Sequence, residues 1–332
     1  MHSIHPYLGQ LDQLTTESSD GKDTYIHPAL KNLGAVSLVL IREAIAPVIF
    51  RNAEQEITDI DIDGEAFVRA VPNKFKYPEK SRGLQLLRAY GVGGRMPQNK
   101  SVFRPKQPIS EVYDLNTLVF GDSSTQDKRV LPVKAAVSYS DGLSLQPKYQ
   151  CVDESFHNRA MEDGTLFDAA DKKNSDNLFS RHFVKPGTLL VQVLSTRGRL
   201  LPPEGLDHLL LSVGLAGTYG GQTSVTGTNL STHFVGFYAG RFERASTSPY
   251  QLVRHCRQHG VDLTDHKALT QALHQHLAAD HEANIPPEAT QDYVAQLIAR
   301  FEANDEALAR QYQTTAKATA GLFDNWFGTG KK

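Results

Sequence analysis

Residues 34–41 read Gly34-Ala35-Val36-Ser37-Leu38-Val39-Leu40-Ile41, a short apolar run rich in β-branched residues. That pattern predicts a strand buried inside a sheet. The run continues towards Pro47-Val48-Ile49-Phe50 and so places Arg51 and Asn52 near the strand's exit. Further strands are predicted at Lys134–Asp141 (KAAVSYSD), at Thr188–Leu194 after the Lys185-Pro186-Gly187 turn, and at Phe234–Tyr238. Between them lie helix patterns. Ser81–Gly91 has Ser81 as N-cap, Gln85 a turn later and Gly91 as its stop. Asp114–Gly121 reads as a short capped helix ending on glycine. Pro202 and Pro203 open a helix through Leu215 with Leu206, Leu209, Leu210 and Val213 on one face. The fold class is therefore α+β. Its predicted organisation is a polar arm over 1–33 and a core over 34–248, with inserts at 69–110 and 151–184. A helical region over 249–332 follows, in which Val261–Ala279 and Pro287–Phe327 carry the apolar spacing.

The 332 residues are 40% hydrophobic, enough for a sizeable core. No apolar run reaches the roughly eighteen residues of a membrane span, and the N-terminus lacks the basic-then-apolar pattern of a signal peptide. Two cysteines, Cys151 and Cys256, are too few for a disulfide framework. The expected compartment is the cytoplasm.

The net charge of −2 hides a strong asymmetry. Residues 1–68 hold eleven acids against four bases. From Arg69 to Lys106 come ten bases (Arg69, Lys74, Lys76, Lys80, Arg82, Arg88, Arg95, Lys100, Arg104 and Lys106) against one acid, Glu79. Like charges at that density repel unless an anion sits among them. The interleaved Phe75, Tyr77, Tyr90, Met96 and Phe103 suit base stacking, so the segment predicts a groove for single-stranded nucleic acid. With Ser81 as N-cap, Lys80 and Arg82 fall at a helix N-terminus, where free amides also favour phosphate. Residues 92–109, rich in Gly, Pro, Asn and Lys, read as a mobile loop. The alternative is a solvated basic loop without a specific role.

A second candidate is the glycine-rich stretch 214–227. Gly217, Gly220, Gly221 and Gly227 expose backbone amides, and Thr218, Thr223 and Ser224 add hydroxyls, a chemistry suited to a phosphodiester chain. It has no lysine where a Walker A loop needs one. The run Ile57–Gly64 alternates with period two and sets Asp59, Asp61 and Asp63 on one strand face. A calcium loop starting at Asp59 needs an acid at its twelfth position, and Ala70 stands there. Paired carboxylates holding a catalytic ion stay open as a nuclease reading, beside a solvated strand face. His255/His259 and His274/His281 read as packing or solvated histidines, and no cofactor or metal is expected.

Three segments resemble the backbone subunit (Cas-seven-like, of the RAMP superfamily) of a type I-D CRISPR surveillance complex. They are Asp114–Asp122 (DLNTLVFGD) followed by Lys134–Asp141; Phe156–Arg159 (FHNR) and Gly164–Phe167 (GTLF) leading to His182–Thr188 (HFVKPGT); and Leu211–Gly221 (LSVGLAGTYGG). The match runs from Gly34 to Gly240. The resemblance implies a modified ferredoxin-like, RNA-recognition-motif core and a non-catalytic scaffold whose copies line up along one guide RNA, with the other subunits of an antiviral complex as partners. It implies that the insert 151–184 is a thumb hairpin that turns out guide bases, with Arg159, Met161, Leu166 and Phe167 as contact or wedge residues. Arg51, Asn52, Lys74, Lys76, Lys80, Arg82, Arg95, Lys100, Arg104, Thr218, Tyr219, Gln222 and Thr223 would hold the RNA, and the basic loop would reach target DNA. Some relatives carry a zinc-binding insert; with Cys151 and Cys256 alone, that insert is expected to be missing. The glycine loop also ends Thr-Gly-Thr-Asn instead of Gly-x-Gly. The helical tail lies beyond the resemblance and reads as a protein–protein element. The competing functions are a metal-dependent nuclease cutting the target strand with Asp59, Asp61 or Asp63, and an assembly protein without nucleic-acid contact.

Overall fold

The structure, a computed structural model, describes the chain except residues 12–13, 15–16, 20–21, 25–27, 51–56, 95–107, 127–128, 159–166, 169–171, 175–177, 222–226 and 328–332. Strand β1 (Ala35–Ala44) is followed by a hairpin of β2 (Asp59–Ile62) and β3 (Glu65–Ala70), then helices α1 (Asn73–Ala89) and α2 (Leu115–Phe120). A second hairpin pairs β4 (Asp122–Gln126) with β5 (Arg129–Val133). Next come β6 (Val137–Tyr139), β7 (Gly142–Pro147), a separate pair β8 (Val152–Asn158) and β9 (Leu178–Val184), then β10 (Leu189–Arg197), α3 (Pro203–Gly214) and β11 (Leu230–Gly240). The C-terminal part contains α4 (Pro249–Gln258), α5 (His266–Ala278), β12 (Ala283–Ile285), α6 (Pro287–Glu302) and α7 (Glu306–Phe327).

The centre is an antiparallel sheet in the order β12–β11–β1–β10–β7–β3–β2, with β6 also paired to β10. Strand β1 pairs β11 on one side and β10 on the other, and both of its faces are covered. Val36, Leu38 and Leu40 enter one core with Leu86 and Leu87 of α1, Leu118 of α2 and Leu209 of α3. Val39 and Ile41 enter a second with Leu252 of α4 and Leu269 and Leu273 of α5. Two buried faces account for the unbroken apolar run read in the sequence. Predicted strand Lys134–Asp141 shortens to the three residues of β6, whereas Asp114–Gly121 forms as expected. Asp114 accepts from Thr117 N at 3.2 Å in a capping box, and Gly121 closes the helix at φ 76°.

Helix α1 differs most from its prediction. It starts at Asn73, about two turns before Ser81, so Ser81 is an interior residue and Lys80 and Arg82 do not lie at a helix N-terminus. Pro78 inside the helix hides this start from sequence reading. Phe75, Glu79, Gly83, Leu86 and Leu87 recur at helical spacing and are all buried. Their burial outweighs the roughly 3 kcal/mol that an interior proline costs.

The ends of the chain belong to the same body. Ile4, Leu8 and Leu14 are buried in the first core, and Trp326 Nε1 donates to Leu14 O at 2.6 Å. β12 extends the central sheet beside β11, and Leu308, Tyr312, Leu322 and Phe323 of α7 complete the first core. Residues 287–327 make two helices, since Arg300 pairs with Asp305 across the turn at 302–306. The segment 261–279 narrows to α5, with Asp265 as N-cap. No described helix is long and apolar enough to cross a membrane.

A charged pair lies at the heart of the fold. Arg42 Nη2 stands 2.8 Å from Glu79 Oε1, and both side chains have no exposed surface. Tyr219 and Tyr139 donate to the two Glu79 oxygens at 3.0 and 2.5 Å. Arg42 donates to Gln192 Oε1 at 3.0 Å and to Thr232 Oγ1 at 2.8 Å, with its guanidinium 5.3 Å from the Phe75 ring centre. Replacing one partner strands the other charge. Glu79→Gln is expected to lower the unfolding free energy by about 3–5 kcal/mol in urea denaturation.

His208 on α3 is equally enclosed: Nδ1 lies 3.1 Å from Tyr312 Oη and Nε2 3.0 Å from Asn116 Oδ1. Burial pushes its pKa down to about 3. The folded state keeps His208 neutral, so its contribution is complete above the unfolded value of about 6.5 and is lost as pH falls towards 3. Between those limits the unfolded chain binds one more proton there, a slope of about 1.4 kcal/mol per pH unit. His208→Gln is expected to reduce the pH dependence of unfolding by that slope in denaturant titrations from pH 7 to pH 4.

Candidate nucleic-acid interface

The segment after β1 joins the elements that the sequence assigned to RNA. Val48 and Val184, at the base of the β8–β9 pair, exchange backbone hydrogen bonds of 3.1 and 2.8 Å. One residue on, Gly221 N donates to Ile49 O at 2.8 Å, tying the glycine turn to the same segment. Phe50 then packs on Phe75 of α1, ring centres 5.5 Å apart, and Phe75 on Tyr219 at 6.0 Å. Hairpin base, glycine turn and basic helix thus meet within three consecutive residues, just before Arg51 and Asn52. Those two lie outside the described residues, as do Arg95, Lys100, Arg104, Arg159, Met161, Leu166, Gln222 and Thr223, and most of the predicted mobile loop.

The glycine turn is closed by Asn229, a residue that sequence reading does not select. Its buried side chain accepts from Tyr219 N and donates to Tyr219 O, each at 2.9 Å, and its backbone N donates to Gly217 O at 2.9 Å. Gly220 has φ 80°, and a Cβ there would sit 2.5 Å from Ile49 O, so this position admits only glycine. Thr218 is half-buried beside it. The structure places the Tyr219 ring in the core, fully buried, with its hydroxyl donating to Glu79 instead of facing the surface. Burial, then the Glu79 carboxylate, raises its pKa far above the ordinary tyrosine value.

Along α1 the bases divide. Lys80 Nζ donates to Asp122 Oδ2 at 2.7 Å and Gly121 O at 2.8 Å, and Arg69 meets Asp141 at 2.9 Å. Arg88 Nε donates to Gly94 O. Among the described residues, two of the segment's cations, Lys80 and Arg69, are therefore balanced by carboxylates inside the protein, contrary to the expectation that a bound anion neutralises all of them. Lys74 and Lys76 are half-buried, and Arg82 Nη1 reaches Gln85 at 2.8 Å. Lys76, Lys80, exposed Tyr77, Asn73, Phe120 and Ser123 line a groove of about 690 Å³ at the foot of the β4–β5 hairpin. Burial, then the nearby Lys80 ammonium, holds the Lys76 amine below its ordinary value. An anion in the groove relieves that repulsion. Phe156 on β8 and Phe167, in the short pairing of 167–168 with 173–174, are exposed aromatics on the inserted hairpin.

Asp59 and Asp61 alternate on one face of β2 as expected, but Asp63 does not continue it. Asp63 sits in the β2–β3 turn at φ 54°, held by Arg254 through two bonds of 3.1 and 2.9 Å. Asp59 pairs with Lys148, and Asp61, in β2, accepts from Gly64 N of the following turn at 3.0 Å. The three carboxylates are bound to three different partners and do not converge on one ion.

The architecture can be set beside solved proteins. The crystal structure of Thermofilum pendens Csc2 aligns with 97% of this chain and 94% of its own, with TM-score 0.60 and 16% identity. The fold is thus that of a CRISPR-associated protein. A family model described as Csc2 Crispr matches residues 72–326, and the chain belongs to the Csc2 CRISPR family. A chain of a CRISPR RNA-guided surveillance complex (TM-score 0.42, 11% identity, 74% of this chain and 99% of that one) and one of a type IV-B CRISPR complex (0.40, 14%, 60% and 90%) also align, too distantly to refine the assignment. No curated protein sequence matches the chain.

Tyr219→Phe removes one of the two hydroxyls that donate to the buried Glu79 carboxylate, whose Oε1 keeps its Arg42 ion pair. It is expected to cost about 1–3 kcal/mol in thermal or urea unfolding while leaving RNA affinity, measured by filter binding, unchanged.

Proposed function

We propose that this chain is a guide-RNA-binding backbone subunit of a CRISPR surveillance complex of type I-D, without catalytic activity of its own. The observation that carries this reading is the junction at Val48–Phe50, where the inserted hairpin, the glycine turn and the basic helix share one short segment. A nucleic-acid strand is the ligand whose chemistry suits all three: phosphates for amides and cations, bases for exposed rings. A ferredoxin-like core agrees with the chain order β1–α1–β7–β10–α3–β11 and the spatial order β11–β1–β10–β7. In this proposal copies repeat along the guide, the β8–β9 hairpin acts as the thumb with Arg159, Met161, Leu166 and Phe167 at its guide-facing part, and the segment 95–107 reaches target DNA. Arg51, Asn52, Lys74, Lys76, Arg82, Thr218, Gln222 and Thr223 hold the RNA. The engaged Asp59, Asp61 and Asp63 give the nuclease reading no support.

Purification with nucleic acid retained, followed by sequencing, is expected to release short RNAs sharing one repeat-derived end; heterogeneous cellular RNA would contradict the guide assignment. The double variant Lys76→Glu/Arg82→Glu is expected to weaken binding equally for unrelated RNA sequences. The salt slope should flatten by about 0.7 for each phosphate that the variant no longer neutralises. Unchanged affinity would favour an assembly role without RNA contact.

A further inference from the structure

On the sheet face opposite Arg42, three side chains that no sequence motif links come together. Glu43 stands next to last in β1. His233 on β11 registers against Ile41, so it projects from the same face as Glu43, one diagonal step away. His266 is the first residue of α5, which packs over that face. His233 Nε2 lies 2.8 Å from Glu43 Oε2, and His266 Nδ1 lies 3.9 Å from the same oxygen. The two imidazoles meet edge to face, centres 5.2 Å apart. All three donor atoms fall within 4.8 Å of one another, the one such three-residue set among the described residues.

We propose that Glu43, His233 and His266 form a binding site for a zinc-class divalent cation. The separation of His266 Nδ1 from the carboxylate is too long for a hydrogen bond, yet the nitrogen converges on it, a spacing that an ion between them bridges. A tetrahedral zinc with bonds of about 2.0–2.1 Å spaces its ligand atoms by about 3.3 Å, and the observed 2.8 and 3.9 Å straddle that value. Two imidazoles and one carboxylate select zinc and its transition-metal neighbours over magnesium and calcium, which prefer oxygen ligands. Three protein ligands leave a fourth position open. His233 and His266 also line a cavity of about 670 Å³ between α5 and the start of α6, which gives that position room for water. The α5 N-terminus adds positive potential, and the carboxylate of Asp265, which accepts from Lys267 N and Ala268 N at 2.9 and 3.0 Å, offsets it. Because the ligands come from β1, β11 and α5, the ion would pin the first turn of α5 to the sheet. The site uses neither cysteine and lies apart from the groove on α1.

The test uses the full, tag-free chain, stripped with chelator and titrated with Zn²⁺ by calorimetry, with metal content read after gel filtration. One equivalent is expected to remain bound, and its addition should raise the melting temperature. His266→Gln changes a half-exposed residue and leaves the core intact; it should weaken zinc binding at least tenfold and abolish the thermal shift, and Glu43→Gln should act alike. The control is His255→Gln in the separate cluster where His255 lies 3.9 Å from His276 and 4.2 Å from His259, ring to ring; it should bind zinc as the wild type does. No retained zinc, equal binding by the His266 variant, or a loss confined to the His255 variant would each overturn the assignment.

Discussion

The Arg42–Glu79 pair is the constraint on which the rest of the molecule depends. Arg42 stands in the central strand, Glu79 on the helix laid across it, and each is completed by groups from elsewhere: Gln192 of β10, Thr232 of β11, Tyr139 of β6 and Tyr219 of the glycine turn. Burying two charges is costly, and an apolar pair of the same volume often serves stability equally well. What the pair supplies is position. A guanidinium or carboxylate displaced by one helical turn or one strand register would be left without a partner, so the pair fixes both the rotation of α1 and the pairing of β1.

That fixation reaches the surface through aromatic contacts. Phe75 lies one turn before Glu79 and touches Phe50 on one side and Tyr219 on the other. The glycine turn is locked by Asn229 and hung from Ile49 O, so its amides are held by the same core that holds the helix. Residues 217–221 are thereby held by the core, and under the proposed function less of the binding free energy would go into ordering them.

Strands are legible in the sequence where burial on two faces leaves an uninterrupted apolar run, as in Ala35–Ile41. Local chemistry makes Asp114–Gly121 legible, because cap and stop lie within eight residues of each other. What escapes is set by distant partners. Pro78 suggests a helix boundary, yet Phe75 and Glu79 on either side of it are anchored by residues of other strands. Glu79 stands out as the single acid among ten bases, and that isolation is the mark of an internal partner as much as of a deficit of acids. Tyr219 reads as one of the RNA-holding residues of the glycine stretch, because its buried partner Glu79 lies 140 positions away. Glu43, His233 and His266 have no spacing to notice, since strand register and a helix start bring them together.

The division of the basic segment bears on how an anion is recognised. Lys80 and Arg69 are held by Asp122 and Asp141, so a phosphate approaching them meets a pair whose charge is already balanced. Lys76 is different: its neighbour Lys80 has engaged Asp122, and its amine is half-buried within reach of that ammonium. Charge density in the sequence therefore overstates the attraction available at the surface, and pairing decides which cations count. Asp122 lines the same groove and orients Lys80, while Lys76 and exposed Tyr77 face the groove beside it; under the proposed function, a base would stack on that ring with its phosphate against the Lys76 amine.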